Sequence, residues 1–207
     1  MRREIETNRL LLRHFTPNDI EELYQIYSNP ELFKYMVNEI SSDKFLLWKQ
    51  TIAIINSIML NWQKYHFGVW AVVDKKHQNL IGHCGFKFLE NTTEVQIGYL
   101  LKKSYWGKGL ATEAASAALK YGFEIAHLEK VVAVAKPDNI ASRRVMEKLG
   151  MNYEKDAYFY KNHVVYYSMT RSQFAQLSQK TIFPLSCVVN ACTLELAKPL
   201  SLACPLG

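Results

Sequence analysis

The chain has 207 residues, of which 49% are hydrophobic and 21% are charged, and both fractions are close to those of soluble globular proteins. This composition excludes a disordered, collagen-like or coiled-coil protein, and the length suits one domain with one hydrophobic core. The formal net charge of +6 comes from scattered Lys and Arg residues, which is typical of a solvated surface and would also suit an anionic partner.

The opening residues and the cysteines bear on where the protein works and what it binds. The sequence MRREIE lacks the apolar stretch of a signal peptide, and no uncharged apolar run is long enough to cross a bilayer. We therefore expect a cytoplasmic protein without a membrane partner. The cysteines follow neither metal-ligand spacing nor a dense disulfide pattern, so we expect no metal. They are Cys84, Cys187, Cys192 and Cys204.

The first third of the chain predicts one strand and two helices. Residues 5–15 are typical of a strand, and Thr16-Pro17-Asn18-Asp19 then supplies a helix N-cap, a proline at the first helical position and an acid in the first turn. This helix should end at Asn29-Pro30, because proline cannot continue a helix interior. Apolar residues recur every three or four positions across residues 43–64, which predicts a second helix.

The rest of the chain predicts a sheet with further helices. Three strand-like runs separated by turn signals cover residues 67–73, 80–89 and 94–101, and they predict an antiparallel meander. The later elements are a helix at 109–126, a strand at 130–135, a helix at 138–149 capped by Asp138 and closed by Gly150, and a hairpin of strands at 153–160 and 163–170. This order predicts an α/β (α+β) domain whose mixed sheet carries helices on its faces.

The C-terminal part of the chain differs from the rest in its pattern. From about Gln173 the sequence is apolar but is interrupted by prolines and charges, which rules out a membrane span there. We therefore expect a domain at residues 1–172 and a C-terminal tail at residues 173–207. The tail is expected to be irregular, with an added strand or a subunit contact as the alternatives.

The clearest functional pattern is at residues 105–114, YWGKGLATEA, which join a strand to a helix. Gly107 and Gly109 stand where the backbone must turn and present N–H groups that no Cβ obstructs, and Lys108 lies between them. Unpaired amides at a helix N-terminus, together with the positive end of the helix dipole, bind phosphate groups. The sequence therefore predicts a phosphate site at this turn, where Lys108 would assist.

Two other phosphate-binding patterns do not fit these residues. A Walker loop ends in Gly-Lys-Ser/Thr four residues after its first glycine, and that ending is absent. A dinucleotide fingerprint needs a third glycine and a downstream acid within a βαβ unit, whereas this turn follows an antiparallel meander. The turn therefore predicts an anion site on a different architecture.

These residues resemble motif A of the GNAT acetyltransferase superfamily, whose pattern is Gln/Arg-x-x-Gly-x-Gly/Ala. The register runs from Trp106 to Ala111, and Trp106 in the Gln/Arg place resembles the branch that acetylates the N-terminal alanine of ribosomal proteins. The resemblance covers residues 5–170. Three other stretches agree in the same order: TNRLLLR at 7–13, QIGY at 96–99, and NIAS at 139–142 followed by KLGM at 148–151.

The resemblance implies a GNAT fold, in which a mixed and mostly antiparallel central sheet splays between its fourth and fifth strands and is flanked by helices. It implies acetyl-CoA as the cosubstrate and direct transfer of the acetyl group to a primary amine. The strand that ends at Leu101 should hydrogen-bond the pantetheine arm, and a backbone N–H near Leu100 should polarise the thioester carbonyl. The implied cofactor-binding residues are Tyr99, Leu100, Leu101, Trp106, Gly107, Lys108, Gly109, Leu110, Ala111, Thr112, Asn139 and Ser142.

Two catalytic residues are predicted: Ser142 from the resemblance, and Glu94 from its place on the strand. Relatives carry a glutamate where this chain has Gln96, which cannot remove a proton. Glu94 shares a strand face with Gln96, so Glu94 is predicted to be the general base. Ser142 is predicted to protonate the departing thiolate, and Asn139 to contact the pantetheine. The alternatives are an exposed strand-end charge for Glu94 and ordinary helix-start residues for Asn139 and Ser142.

The acceptor of the acetyl group stays open at this point. It is either the N-terminus of a protein, such as a ribosomal protein, or a small molecule such as a polyamine, an amino sugar or an antibiotic. A non-catalytic CoA-binding sensor or scaffold is the alternative from another class. We expect no direct nucleic-acid contact, and either a monomer or a homodimer. The aromatic residues considered for the acceptor pocket are Phe33, Tyr35, Trp70, Tyr158 and Tyr166, and core packing is the alternative for each of them.

Overall fold

One mixed sheet and its flanking helices make up the part of the chain that a computed structural model describes, residues 3–37, 40–179 and 188–189. The strands are β1 (Ile5–Glu6), β2 (Leu10–Arg13), β3 (Val69–Asp74), β4 (Asn79–Phe88), β5 (Val95–Leu101), β6 (Lys130–Ala135), β7 (Asn152–Phe159), β8 (Asn162–Thr170) and β9 (Val188–Val189). The helices are α1 (Ile20–Tyr27), α2 (Pro30–Phe33), α3 (Lys44–Tyr65), α4 (Leu110–Glu124), α5 (Ile140–Lys148) and α6 (Arg171–Gln179).

The strands lie side by side in the order β7-β8-β6-β5-β4-β3-β2-β1-β9. Neighbouring strands are antiparallel except β5 and β6, which run parallel and share one register pair, Gln96 with Val132. The predicted mixed, mostly antiparallel sheet is confirmed. The predicted splay between the fourth and fifth strands corresponds to β5 and β6, because the first predicted strand is two strands in the structure.

The prediction of one strand over residues 5–15 is wrong. The chain reverses after β1, and β2 pairs back on it with Ile5 opposite Leu12. Thr7 holds the reversal: its amide donates to the carbonyl of Leu10 at 2.9 Å, and its hydroxyl oxygen accepts from the Leu10 amide at 2.9 Å. A side chain that replaces a backbone partner makes a tight turn without glycine, so apolar alternation alone does not reveal it.

The predicted helices agree with the structure except at two starts. The first helix begins with a 3-10 turn at Pro17–Asp19 and becomes α-helical at Ile20. Helix α5 is capped by Asn139 and not by the predicted Asp138, because the Asn139 side-chain oxygen accepts from the amide of Ser142 at 3.1 Å. Gly150, with φ of +79°, follows α5 as predicted, in a conformation that favours glycine.

The two faces of the sheet are covered by different helices. On one face, the Tyr27 hydroxyl of α1 lies 3.1 Å from Nε2 of His83 on β4. On the other face α4 packs so closely that a Cβ added to Gly122 would lie 2.7 Å from the Phe86 ring. We call these the α1 face and the α4 face. Strand side chains alternate, so the residues of β5 divide between the faces as their β4 partners do.

The predicted tail begins inside a packed helix. Residues 173–179 belong to α6, where the Phe174 ring stacks on Phe123 at 4.9 Å between centroids. Val188–Val189 pairs with β1 as β9, and the remaining residues of that prediction, 180–187 and 190–207, lie outside the described residues. Within the described ranges, none of the helices combines the length and apolar character that crossing a bilayer requires.

Candidate active site

The parallel strands β5 and β6 separate beyond the pair of Gln96 with Val132, and we call the gap between residues 97–101 and 133–135 the fork. Two hydrogen bonds fix which main-chain groups of β5 point into it. The Lys102 amide donates to the Ile81 carbonyl at 2.7 Å, and the Leu89 amide donates to the Glu94 carbonyl at 2.8 Å. In an antiparallel ladder such pairs recur at every second residue, so the even-numbered residues of β5 bond to β4.

The odd-numbered residues therefore direct their main-chain groups towards β6. The pair of Gln96 with Val132 uses those of Val95 and Ile97, which leaves the amides of Tyr99 and Leu101 facing the fork. An extended ligand arm that lies in the fork would bond to them as an added strand does. The ladder turns the Leu100 amide towards β4, so the residues on either side of Leu100 are better placed to polarise a thioester.

The glycine turn lies just beyond the fork. Gly107 and Gly109 have φ of +73° and +76°, and Gly109 is the N-cap of α4. The first helical hydrogen bond runs from the Glu113 amide to the Gly109 carbonyl at 3.0 Å, so the amides of residues 109–112 come before it and have no intrahelical acceptor. Such amides, together with the helix dipole, are suited to an anion, and the phosphate site at this turn stays a prediction.

Trp106 joins this turn to the fork. Its indole Nε1–H donates to the Leu101 carbonyl at 2.7 Å, and its ring meets the Tyr35 ring edge-on at 5.6 Å between centroids. The side chain that fills the Gln/Arg place of the sequence pattern therefore fastens the end of β5 to the start of the turn. This contact fixes the position of the amides of residues 109–112, which we call the amide cradle, relative to β5.

Arg9 holds the glycine turn from the opposite side, a role that the sequence does not reveal. Its Nη1 donates to the Lys108 carbonyl at 2.9 Å, and its Nε donates to Oε2 of Glu113 at 2.6 Å. The Thr7 hydroxyl donates to the other oxygen of Glu113 at 2.6 Å. Glu113 is an anion in the first turn of α4, where it would repel a bound phosphate, and Arg9 offsets that charge.

Replacing Arg9 by alanine is expected to weaken the binding of CoA about tenfold at low ionic strength, because Glu113 is left uncompensated and the Lys108 carbonyl loses its donor. The loss should shrink in high salt, since Arg9 is half-exposed and its charge is screened. Calorimetric titration at two salt concentrations measures this. Lys76→Ala removes the same charge from the exposed β3–β4 turn and serves as the control. Equal affinities of the two variants would contradict the role of Arg9.

The α5 start lies across the fork on the α4 face. The Tyr99 hydroxyl donates to the Ser142 carbonyl at 2.9 Å, so a side chain of β5 reaches the first turn of α5. Asn139 is buried, and its side-chain amide lies 3.5 Å from the Tyr35 carbonyl. Asn139 thus makes the local capping bond of a helix-start residue. In the described part of the chain no partner is assigned to the Ser142 hydroxyl, so the hydroxyl has capacity for a ligand.

The pair of Gln96 with Val132 is the vertex of the fork. Glu94 comes just before β5 and lies on the other side of this vertex, away from the fork. Its Oε1 accepts a hydrogen bond from the Tyr166 hydroxyl at 2.7 Å and lies 3.6 Å from Nζ of Lys130. Its place on the face of Gln96 follows from strand alternation, but its carboxylate already has two partners. Its role as a base stays a prediction.

Gln96 and Lys87 are a directly opposed pair on β5 and β4 and lie on the α1 face. Gln96 is buried, and its Nε2 donates to the Tyr160 hydroxyl at 2.8 Å. Its Oε1 is buried and has no hydrogen-bond partner among the described residues. Nζ of Lys87 lies 4.8 Å from the Tyr160 ring centroid, and burial lowers the pKa of Lys87 to about 8, although Glu90 raises it in part.

The aromatic residues considered for the acceptor pocket are spread over the molecule. Trp70 is wrong as a lining residue, because strand alternation directs it to the α4 face, where it is fully buried against Trp62 and Tyr121. Tyr35 lies beside Trp106 at the turn, and Tyr166 is buried beside Glu94. Tyr158 is exposed and packs on His163. The side chain of Phe33 lies outside the described residues.

Comparisons with known proteins agree with this geometry. Residues 9–152 match the model of the Acetyltransferase (GNAT) domain. The uncharacterized N-acetyltransferase YnaD of Bacillus subtilis is 35% identical over 153 residues, which are 72% of this chain and 83% of that protein. The [ribosomal protein uS5]-alanine N-acetyltransferase of Escherichia coli is 24% identical over 159 residues, 74% and 79% of the two chains. The crystal structure of a GNAT-family acetyltransferase from Bacillus anthracis superposes with a TM-score of 0.68 at 28% identity and covers 82% of this chain and 99% of that one.

Proposed function

The chain belongs to the GNAT family of acetyltransferases, and we propose that the acceptor of this acetyl-CoA-dependent N-acetyltransferase is the α-amino group at the N-terminus of a polypeptide. The observation that carries the cosubstrate part of this proposal is that Trp106 ties the turn before the amides of residues 109–112 to the end of β5, beside the fork. The amides are suited to a diphosphate, and the fork is suited to the extended arm attached to it.

In the proposed complex each part of the site has one task. The amides of residues 109–112 hold the diphosphate, and Lys108 adds a charge beside it. The main-chain groups of Tyr99 and Leu101 bond to the pantetheine, and one of their amides polarises the thioester carbonyl. Asn139 contacts the pantetheine from α5. These assignments bring the acetyl carbon to the fork near Gly98.

The transfer needs one bond to form and one to break. The neutral amine attacks the thioester carbon, the new C–N bond forms, and the C–S bond breaks as the carbonyl reforms. The acceptor loses a proton, and the departing sulfur gains one. We assign the second proton to the Ser142 hydroxyl, which lies in the first turn of α5 next to the carbonyl that Tyr99 holds.

Charge and acidity favour an α-amino acceptor over a polyamine. An N-terminal amine has an ordinary pKa of about 7.7–8.0, so a useful fraction is neutral near pH 7.5, whereas alkyl amines with a pKa of about 10.4 are almost fully charged. A protein with a net charge of +6 also repels polycations at long range. The similarity to an enzyme that acetylates a ribosomal-protein alanine supports the same choice.

An acceptor panel tests the proposal. The purified chain is incubated with acetyl-CoA and either peptides with a free N-terminal residue, polyamines, amino sugars or aminoglycosides, and the release of free thiol is followed. We expect release that depends on the peptide and stops when its N-terminus is blocked. If free thiol is released only with small-molecule amines, the acceptor is a small molecule and not a polypeptide N-terminus. Binding of acetyl-CoA without release for any acceptor would favour a non-catalytic sensor.

Replacing Ser142 by alanine is expected to lower kcat about tenfold and to change the affinity for CoA less than twofold. The loss is modest because a thiolate is a fair leaving group even without a proton donor. Calorimetry and steady-state kinetics measure the two effects separately. Ser142→Thr keeps a hydroxyl and the cap from Asn139, so it should retain most of the turnover. An equal loss in the alanine and threonine variants would assign Ser142 to packing.

A further inference from the structure

The proposed reaction requires that the acceptor amine lose a proton, and Gln96 at the vertex of the fork cannot take it. Three side chains meet there on the α1 face, and we call them the Lys87 cluster: Lys87, Gln96 and Tyr160. Gln96 bonds to the Tyr160 hydroxyl, Lys87 lies over the Tyr160 ring, and Lys87 and Gln96 are direct neighbours across the ladder. The cluster joins β4, β5 and the β7–β8 turn at one point.

The position of the cluster relative to the fork follows from the sheet register. Gln96 belongs to the single pair between β5 and β6, so its side chain stands where the strands begin to part. Gly98, the next residue on the same face, leaves open space: a Cβ added there would have no heavy atom within 4 Å apart from its chain neighbours. An amine that approaches the acetyl group from the α1 face would pass over Gly98 and meet the Lys87 cluster.

Two features of the cluster are incomplete without a ligand. Oε1 of Gln96 is a buried acceptor without a donor among the described residues, and such groups are rare because they cost free energy. Lys87 is half-buried, and its Nζ has a ring face but no carboxylate within ion-pair distance in the same part of the chain. An amine would supply the missing donor to Gln96 and would find in neutral Lys87 an acceptor for its proton.

We propose that Lys87 is the general base of this enzyme and that Oε1 of Gln96 orients the attacking amine, an inference that rests on the proposed transfer to an amine. As the C–N bond forms, a proton passes from the acceptor nitrogen to Nζ of Lys87, directly or through one water. Lys87 becomes an ammonium and returns the proton to solvent after the product leaves. The departing sulfur receives its own proton from Ser142, and the Ser142 oxygen regains a proton from solvent, so protons and charges balance.

The surroundings of Lys87 make a neutral amine accessible near neutral pH. Burial lowers its pKa to about 8 from an ordinary value near 10.4, and the carboxylate of Glu90 opposes the shift. The other groups that face it carry no fixed charge: Gln96, the Tyr160 phenol, and His83 on the same strand face. The pKa of His83 is lowered to about 4 by burial and by Lys87 itself, so His83 stays neutral.

Lys87 fits this role better than Glu94. Glu94 precedes β5, on the closed side of the vertex, and its carboxylate already accepts from Tyr166 and faces Lys130. Lys87 is beside the vertex itself, and its head group is held by a ring face that stabilises the ammonium without removing the lone pair of the amine. The two assignments predict different variants to be inactive.

The test is a pH profile of kcat with saturating acetyl-CoA and a peptide acceptor, measured for the wild type, Lys87→Met, Lys87→Arg and Glu94→Gln. The wild type should gain activity with rising pH, with a midpoint near 8, because the active base is the neutral form. Lys87→Met and Lys87→Arg should lose at least tenfold in kcat at pH 7.5, with unchanged affinity for CoA. The part of the rise that comes from the acceptor amine, whose own pKa is about 7.7–8.0, should remain in both variants. Lys76→Met is the matched control and should behave as the wild type.

A second measurement decides the proposal without turnover. Acetic anhydride acetylates only neutral amines, so competitive labelling followed by mass spectrometry gives the pKa of each lysine. A labelling midpoint near 8 for Lys87 supports the proposal, and a midpoint near 10 overturns it. Full activity and an unchanged profile in Lys87→Met, with the loss confined to Glu94→Gln, also overturns it. Wild type that binds acetyl-CoA but acetylates no acceptor would overturn the proposed function instead, and labelling would still decide the state of Lys87.

Discussion

Replacing Gly98 by valine is expected to reduce kcat/KM at least a hundredfold while the fold stays intact. Gly98 is on the α1 face of β5, beside the vertex of the fork, and a Cβ there meets no heavy atom within 4 Å apart from its chain neighbours. Valine favours strands and glycine weakens them, so the melting temperature should stay the same or rise. The new side chain would fill the space through which the acceptor reaches the acetyl group.

Two substitutions frame this prediction. Gly98→Ala adds one methyl group and should give an intermediate loss of turnover. Gly82→Ala should instead lower the melting temperature, because its Cβ would lie 2.0 Å from the Leu100 carbonyl oxygen and would force β4 and β5 apart. Thermal unfolding and kinetics with a fixed peptide measure both effects. A Gly98→Val enzyme with normal turnover would show that the acceptor does not enter over this residue.

Replacing Gly109 by valine is expected to weaken the binding of CoA more than tenfold. Gly109 has φ of +76° at the N-cap of α4, and a β-branched residue in that region is strained by about 1–3 kcal/mol. The added Cβ meets only the Arg9 guanidinium, at 3.7 Å, so the effect comes from the backbone and not from a clash. The turn is expected to relax, and the amides of residues 109–112 then no longer converge on a diphosphate.

The matched control for this prediction is Gly109→Asn, because asparagine tolerates the left-handed region. It should keep most of the affinity that the valine variant loses. A second ligand distinguishes an effect on the diphosphate site from an effect on the fork. An acetylated pantetheine that lacks the diphosphate should bind to both variants as tightly as to the wild type. If calorimetry gives the same CoA affinity for Gly109→Val as for the wild type, the amide cradle is not the diphosphate site.

Features that depend on local backbone requirements could be predicted from the sequence. The glycine turn is an example, because Gly107 and Gly109 both have positive φ and their position before a helix is visible in the chain. The meander follows from strand-like runs divided by turn signals, and α4 from an alanine-rich stretch. The β1–β2 reversal could not be predicted, because Thr7 makes it with a side-chain bond that no residue pattern marks.

Features that join distant residues could not be predicted. Arg9 and Glu113 are 104 positions apart, and only the fold brings them together at the glycine turn. The Lys87 cluster likewise depends on the register of β4 with β5 and on the β7–β8 turn that supplies Tyr160. Alternation correctly put Glu94 on the face of Gln96, but it contained no information about Tyr166, which occupies that carboxylate.

The single pair between β5 and β6 also bears on how the protein withstands heat. The strands on one side of that pair, β1 to β5, and those on the other, β6 to β8, share one register pair. These two halves of the sheet therefore unfold together through the helices and through side-chain bonds such as Tyr99–Ser142, Gln96–Tyr160 and Glu94–Tyr166. A cosubstrate that bonds to the unpaired main-chain groups between β5 and β6 would make the two halves of the sheet one cooperative unit. The resistance of this enzyme to unfolding would then track the cellular supply of acetyl-CoA.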